Sequence, residues 1–569
     1  MRRLIYDLVV QTLKRLQEAQ TLPADIPLDP KIERPREKQH GDFSTNIAMV
    51  LCKKARMRPR DLAQAFVDAL PEDQTVIRHC ELAGPGFINF HMQEDRLRDV
   101  ARTILDSGGS FGLSKMGQGQ KAQVEFVSAN PTGPMHVGHG RGAVLGDAIA
   151  ELLNACGFQV EREYYINDAG AQVGILGQSV LLRYRALYGN PVTLPEGAYP
   201  AEYVIDIARA LQNRDADKWL PASENPEKPP QEVIDFAIET VLEWIRDDLK
   251  MLGIEFDAWF SERILHSEGG IDHAVQKLEQ KGLVYTGTLE PPKGKKPDEW
   301  SSRPQFLFRA TEFGDETDRP LKKADGGYTY FAADIAYHLN KAERGFNSLI
   351  NVWGADHGGY VKRVTAALEA LTEQKGLLDV ELVQMVNLTR GGKPVRMSKR
   401  QGTFVTLREV VEEVGSDAVR YWFLTRSANA MLDFDLELAV SQSNDNPVYY
   451  VQYAHARICS IWRQLKEKGL PDPGAFDFAL LETPAEMDLI RMLDRYPEVV
   501  EGAALAREPH RIPHYLQELA AAFHTYYNGH RILDQELALR DARLGLTSAV
   551  RQVIANGLNL VGVQAPERM

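Results

Sequence analysis

The run from Lys121 to Ile166 constrains the fold more than any other part of the chain. KAQVEFVSA (Lys121 to Ala129) alternates apolar and polar residues and is rich in Val, which predicts a strand. A turn-rich loop follows, then an apolar helix from about Gly138 to Ala155, then a second strand in FQVEREYYI (Phe158 to Ile166). Two strands joined through a helix run parallel, because only antiparallel neighbours can be linked by a tight turn. The chain is therefore expected to be α/β. Its ligands should sit where the strands end and the helices begin.

Further strand signals come at GYTYFAADIAYHL (Gly327 to Leu339), SLINVWGADH (Ser348 to His357) and VELVQMVNL (Val380 to Leu388). They read as the second half of the same sheet, separated from the first by a helical insertion at about 170–265. The first 115 residues or so read as a separate α+β unit. Its opening helix carries Leu4, Ile5, Leu8, Val9, Leu13 and Leu16 on one face. Arg2 and Arg3 precede that face, but there is no unbroken apolar block or small-residue cleavage site, and Asp7 and Glu18 argue against a presequence. Ser107 to Lys121, rich in Gly and Ser, is the expected linker. From Asp417 onward apolar residues recur at helical spacing almost without interruption.

Composition narrows the function classes. Acidic residues exceed basic ones to give a net charge of −13, which excludes a uniformly basic nucleic-acid coat but leaves room for a local groove. No uncharged apolar stretch approaches the ~18 residues of a membrane helix. Cys52, Cys80, Cys156 and Cys459 lie far apart, so neither a structural metal nor a disulfide framework is expected, and the cytoplasm is the expected compartment.

Two motifs carry chemistry. In SANPTGPMHVGHGRG (Ser128 to Gly142), His136 and His139 flank Gly138 at a helix start, where both imidazoles and the helix N-terminus can meet one anion. Gly140, Gly142 and Gly146 form a weak dinucleotide-like glycine pattern, but about ten residues separate them from the strand, too many for that fingerprint's tight turn. Far downstream lies VRMSKRQGT (Val395 to Thr403), a basic loop preceded by Gly391 and Gly392. Cations on such a loop suit departing pyrophosphate.

HVGH and RMSKR resemble the two signature motifs of the class I aminoacyl-tRNA synthetases. The resemblance narrows to the arginyl-tRNA synthetases and spans the whole chain. HGDFSTNIAM, GPGFINF, YYINDAG, DIAYH, GADHGGY, DAVRYWFL, YVQYAHARI and APERM carry it, with the signature segment Ala129, Asn130, Pro131, Thr132, Gly133, Pro134, Met135, His136, Val137, Gly138 and His139. It implies a Rossmann-like parallel-sheet catalytic core at 116–415, an N-terminal α+β domain for the tRNA elbow at 1–115, and a C-terminal all-α anticodon-binding bundle at 416–569. The implied activity is arginine–tRNA ligase, with ATP, L-arginine and tRNA(Arg) as partners, Mg2+ accompanying ATP, and a monomer as the family default. A non-tRNA nucleotidyltransferase would leave the helical bundle unused, and a catalytically silent RNA-binding relative would not need His136, His139 and Lys399.

Residue by residue, the resemblance places ATP against His136, Gly138, His139, Met397, Ser398 and Lys399, with His136, His139 and Lys399 catalytic. Arg396 stands where the second signature usually has its first lysine. Glu125, Ser128, Asn130, Tyr330, Asp334 and Asp356 match arginine-binding positions, with His357 an alternative to Asp356. Carboxylates suit a guanidinium, and an otherwise costly Asp334 in the apolar run FAADIAY gains by meeting a cation. Phe87 and Asn89 match positions that stack on and hydrogen-bond an unstacked tRNA base.

Overall fold

The computed structural model describes residues 1–71, 75–289, 304–395 and 405–569. Helix Arg2–Glu18 opens the chain and buries Ile5, Leu8, Val9, Leu13 and Leu16, while Leu4 stays exposed. A three-stranded antiparallel sheet follows: β1 (Phe43–Thr45), β2 (Ile77–Ala83) and β3 (Phe87–Met92), with β3 in the middle. Ile88, Phe90 and Met92 alternate into the core, which leaves Phe87, Asn89 and His91 on the other face.

The expected linker is tied down. The Asn556 amide, in the last helix, donates to the carbonyls of Gly108 and Phe111 at 3.0 and 3.1 Å. Gly112 has φ +99 and lies under the Tyr496 ring, where an added Cβ would come within 2.3 Å of the ring. Only glycine fits there.

The core contains β4 (Lys121–Glu125), β5 (Gln159–Ile166) and β6 (Ala258–Ser261). Between them come the helices of the insertion, Ala171–Leu187, Tyr203–Asp215 and Gln231–Met251. A small antiparallel sheet of β7 (Val284–Gly287), β8 (Gln305–Phe308) and β9 (Arg319–Pro320) interrupts the core before β10 (Ser348–Gly354) and β11 (Leu378–Val383) complete it. The five core strands lie parallel in the order β11-β10-β4-β5-β6. The chain leaves β4 toward β5 on one side and returns to β10 on the other. A crevice opens at such a switch point, beyond the carboxyl ends of the strands.

One expected strand is a helix. GYTYFAADIAYHL forms most of helix Tyr330–Glu343, started by Thr329, whose hydroxyl accepts from the Ala332 N–H. A continuous apolar run does not distinguish a buried strand from a buried helix, and this helix buries Phe331, Ala332, Ile335, Ala336 and Leu339. The change of element has a consequence. Asp334, Tyr337, His338 and Lys341 now fall at helical spacing and share a face.

VELVQMVNL also divides. Its first half is in β11, and its second is β12 (Val386–Arg390), which joins β13 (Lys393–Pro394) and β14 (Leu432–Asp435) in a separate sheet. The C-terminal part is built from helices Pro447–Glu467, Pro484–Asp494, Tyr496–Ala506, Arg511–Gly529 and Leu537–Leu560. Buried Arg420 joins it to the core, donating to the carbonyls of Val561 and Leu252 and to Asp147 at 2.8, 2.8 and 2.6 Å.

Candidate active site

His136 is the N-cap of helix Val137–Ala155. Its Nδ1 accepts from the Gly138 N–H at 3.1 Å, and His139 Nδ1 accepts from the His136 N–H at 3.4 Å. An imidazole that accepts at Nδ1 while neutral carries its proton on Nε2. The two rings stack with centroids 3.7 Å apart, so a pair of like-tautomer imidazoles stands at the positive end of the helix. The arrangement suits phosphate oxygens. Buried Arg141, one turn further along, fixes the helix by donating to the carbonyls of Gln384, Ala430 and Ser427. Its desolvation lowers that guanidinium to about 10.

Two of the three glycines of the weak dinucleotide-like pattern have packing roles. A Cβ at Gly140 would meet Leu407 at 2.5 Å, and one at Gly146 would meet Phe126 at 2.2 Å. Gly142 has open space around it. Thr406 bridges to His136, and the Leu407 N–H donates to the Met135 carbonyl at 2.9 Å, so the segment resuming at Val405 docks on the histidine motif. Arg396, Met397, Ser398 and Lys399 lie outside the described residues.

At the end of β4 the chain turns through Val127 and Ser128, both with positive φ (67° and 40°). A β-branched residue in that region is strained, and such strain persists only where surrounding contacts impose it. Here they do. Ser128 Oγ donates to Glu125 Oε1 at 3.0 Å and accepts from the Tyr165 N–H at 3.1 Å. The Tyr164 hydroxyl holds the Ala129 carbonyl at 2.9 Å, and the Tyr203 hydroxyl holds that of Thr132 at 2.7 Å. Asn130 is exposed, and its amide donates to Gln172 at 2.8 Å.

Asp334 faces this turn from the Tyr330–Glu343 helix. Its carboxyl is pushed up to about 7, chiefly by desolvation and further by the charges of Glu262 and Glu125, against a lowering by the Tyr360 hydroxyl 2.5 Å away. Glu262, buried at the start of the helix after β6, is raised mainly by desolvation. Sequence reading missed Glu262, Tyr360 and Lys341. For Glu262 the available signal was its place at the carboxyl end of a parallel strand. Tyr330 is 61% exposed, with Lys323 over its ring. Asp356 and His357 are exposed just past β10, 3.6 Å from each other.

Against known proteins, residues 4–92 match the arginyl tRNA synthetase N terminal domain, residues 101–185 the class I (R) tRNA synthetase catalytic domain, and residues 451–569 the DALR anticodon binding domain. The arginine–tRNA ligase of Magnetococcus marinus is 62% identical over 100% of both chains. The chain belongs to the arginyl-tRNA synthetase family. The arginine–tRNA ligase of Thioalkalivibrio sulfidiphilus is 48% identical over 99% of each chain. Among solved structures, the putative arginyl-tRNA synthetase of Campylobacter jejuni superposes with a TM-score of 0.73 at 32% identity, covering 84% of this chain and all of that one. The Thermus thermophilus arginyl-tRNA synthetase shares the fold over the full length of both chains, with a TM-score of 0.75 at 24% identity.

In the N-terminal domain of this synthetase, Phe87 is half-buried and Asn89 buried, both on the face of β3 turned from the core. His79 and His91 are cross-strand neighbours on that face, with rings stacked at 4.1 Å beside Glu81. Their Coulombic and hydrogen-bonding pull lowers the Glu81 carboxyl. Nearby, a cavity of about 740 Å³ opens between this domain and the bundle, lined by Arg34, Arg36, Lys38, Arg78, Arg491 and Arg495 among others.

Proposed function

We propose that this arginine–tRNA ligase binds the guanidinium of L-arginine at Asp334 and the ATP phosphates at His136 and His139. The observation that carries the reading is the Asp334 carboxyl, which accepts from the Tyr360 hydroxyl and is raised to about 7 by burial and by the nearby Glu262 and Glu125 carboxylates. Carboxyls that repel one another gain most when a cation arrives, and a planar guanidinium can serve two of them at once. Glu125 and Ser128 shape the floor of the same pocket. Asn130, Tyr330 and Asp356 (or His357) would complete it from its rim as the ligand enters.

The arginine carboxylate attacks the α-phosphorus of ATP in line, forming arginyl-adenylate and releasing pyrophosphate. The arginyl group then passes to the terminal adenosine of tRNA(Arg), releasing AMP. No covalent enzyme intermediate is needed, so catalysis rests on placement and charge stabilisation. His136 and His139 take the phosphate that gains charge, and the backbone at Gly138 admits the nucleotide. Lys399, flanked by Met397 and Ser398, accompanies the departing pyrophosphate, with Arg396 as a second cation. Mg2+ accompanying ATP would supply positive charge to its phosphates. Phe87 and Asn89 receive an unstacked base of the tRNA elbow, and residues 416–569 take the anticodon arm. The enzyme works as a cytoplasmic monomer, with the elbow domain at 1–115 and the catalytic domain at 116–415.

Charging of total tRNA with each amino acid in turn tests the reading. Arginine alone should be incorporated, and incorporation of any other amino acid in its place would refute the specificity.

A further inference from the structure

Beneath the Tyr330–Glu343 helix the sheet carries a row of polar side chains that a sheet interior normally avoids. Asn351 of β10 pairs in register with Glu125 of β4, which pairs with Glu163 of β5, and the three are 0%, 5% and 0% exposed. Buried groups of this kind are tolerated only when fully partnered. The helix supplies the partners. Tyr337 and Arg344 bond Glu163, at 2.5 Å and from 2.6 Å. Lys341, 0% exposed, donates to Glu125 Oε2 at 2.5 Å and to Asn351 Oδ1 at 3.0 Å.

The rest of the network has one direction. Because Asn351 Oδ1 accepts from Lys341, its Nδ2 donates to His338 Nε2 at 2.8 Å. His338 then carries its proton on Nδ1 and donates it to the Asp334 carbonyl at 2.8 Å. That assignment needs a neutral imidazole, and desolvation, helped by Lys341, lowers His338 to about 3. On the other side, Glu125 offers Oε1 to Ser128, the second residue of the strained turn. One ammonium group thus sits between the turn that ends β4 and the backbone that bears Asp334.

We infer that Lys341 is a positioning residue for arginine recognition: it holds Glu125 oriented toward Ser128, and through Asn351 and His338 it fixes the backbone of Asp334. The inference rests on the arginine pocket proposed above. It also gives the charge balance of the pocket a reason. Glu125, Asp334 and Glu262 contribute three carboxyls and Lys341 one cation. The cluster is therefore acidic before the substrate arrives and suits a cation.

The test is steady-state charging by the full-length chain carrying Lys341→Met, with Lys341→Arg beside it. Removing one partner of a buried pair leaves the other charge uncompensated. Glu125 then faces Tyr337 and Asp334 from the helix and Glu163 and Tyr165 from β5, none of them a cation. That leaves nothing to hold Glu125 toward Ser128 from the helix side. Lys341→Met should therefore raise the arginine KM by about ten-fold or more while the ATP KM stays within about two-fold. Lys341→Arg, which keeps the charge, should recover most of the arginine KM. If Lys341→Met does not fold, Glu125→Gln with Lys341→Met removes both charges and should still show the raised arginine KM. An unchanged arginine KM in Lys341→Met, equal losses for arginine and ATP, or recovery of normal arginine KM in the double variant would overturn the inference. Failure of the unsubstituted chain to charge arginine would instead overturn the pocket reading, and this inference with it.

Discussion

Lys341 lies fully buried against Glu125, whereas Arg36 and Arg78 of the N-terminal domain are exposed at the mouth of the cavity facing the bundle. Among the described residues neither arginine makes a hydrogen bond or ion pair. The two regions use charge in different physical regimes. In the pocket, each group is desolvated, its partners are fixed, and a change of one proton or one methylene is felt by its neighbours. Around the cavity, Arg34 is held by Asp494 and Glu498 and Arg491 by Asp42, while other cations face water, where salt screens them over about 10 Å at 0.1 M. The first arrangement suits a small cation that must be told from its rivals. The second suits a long polyanion met over a wide surface.

The largest effect should break the two regions apart outright. His139→Ala removes a donor to the reacting phosphate and should slow arginine activation by about 10²–10³, leaving the tRNA KM unchanged. ATP–pyrophosphate exchange in the presence of cognate tRNA reads it, and near-normal exchange would remove the proposed role. Asp334→Asn comes next. Losing a charge-assisted contact should cost arginine about 1.5–3 kcal/mol, with little change for ATP. A pH series sharpens this prediction. The Asp334 carboxyl titrates near 7 before the substrate binds, so it holds a proton below that pH and must release it when the guanidinium enters. The arginine KM should therefore rise as pH falls from about 8 to about 6, and this rise should be absent in Asp334→Asn. On the other side of the comparison, Phe87→Ala with Asn89→Ala should weaken tRNA by about 1–3 kcal/mol and leave the exchange rate at saturating tRNA intact. Unchanged charging at limiting tRNA would make both residues purely structural.

How much of this was legible beforehand follows the same division. The β4–helix–β5 unit could be read because its apolar residues alternate on the strands and because the two histidines lie three residues apart in sequence. The Tyr330–Glu343 helix reads as a strand because its first turns are a nearly continuous apolar run, and burial on several sides erases the periodicity that distinguishes the two. Asp334 was still singled out, since a lone carboxylate in an apolar run needs a reason. Glu262 and Lys341 were not. Lys341 meets Glu125 across 216 residues of sequence, and only the parallel order of β10, β4 and β5 brings them together. Ser107 to Lys121 was expected to be a linker from its composition, but composition carries no information about Asn556 or Tyr496.

The contrast between a buried, mutually paired pocket and an exposed basic surface is tested most directly by salt. The KM values for arginine and for tRNA should be measured on the unsubstituted enzyme from about 50 to about 200 mM monovalent salt. The account predicts that the tRNA KM climbs steeply with salt, because each phosphate contact releases counterions, while the arginine KM stays within about two-fold. Parallel rises in the two constants, or a flat tRNA KM, would contradict it.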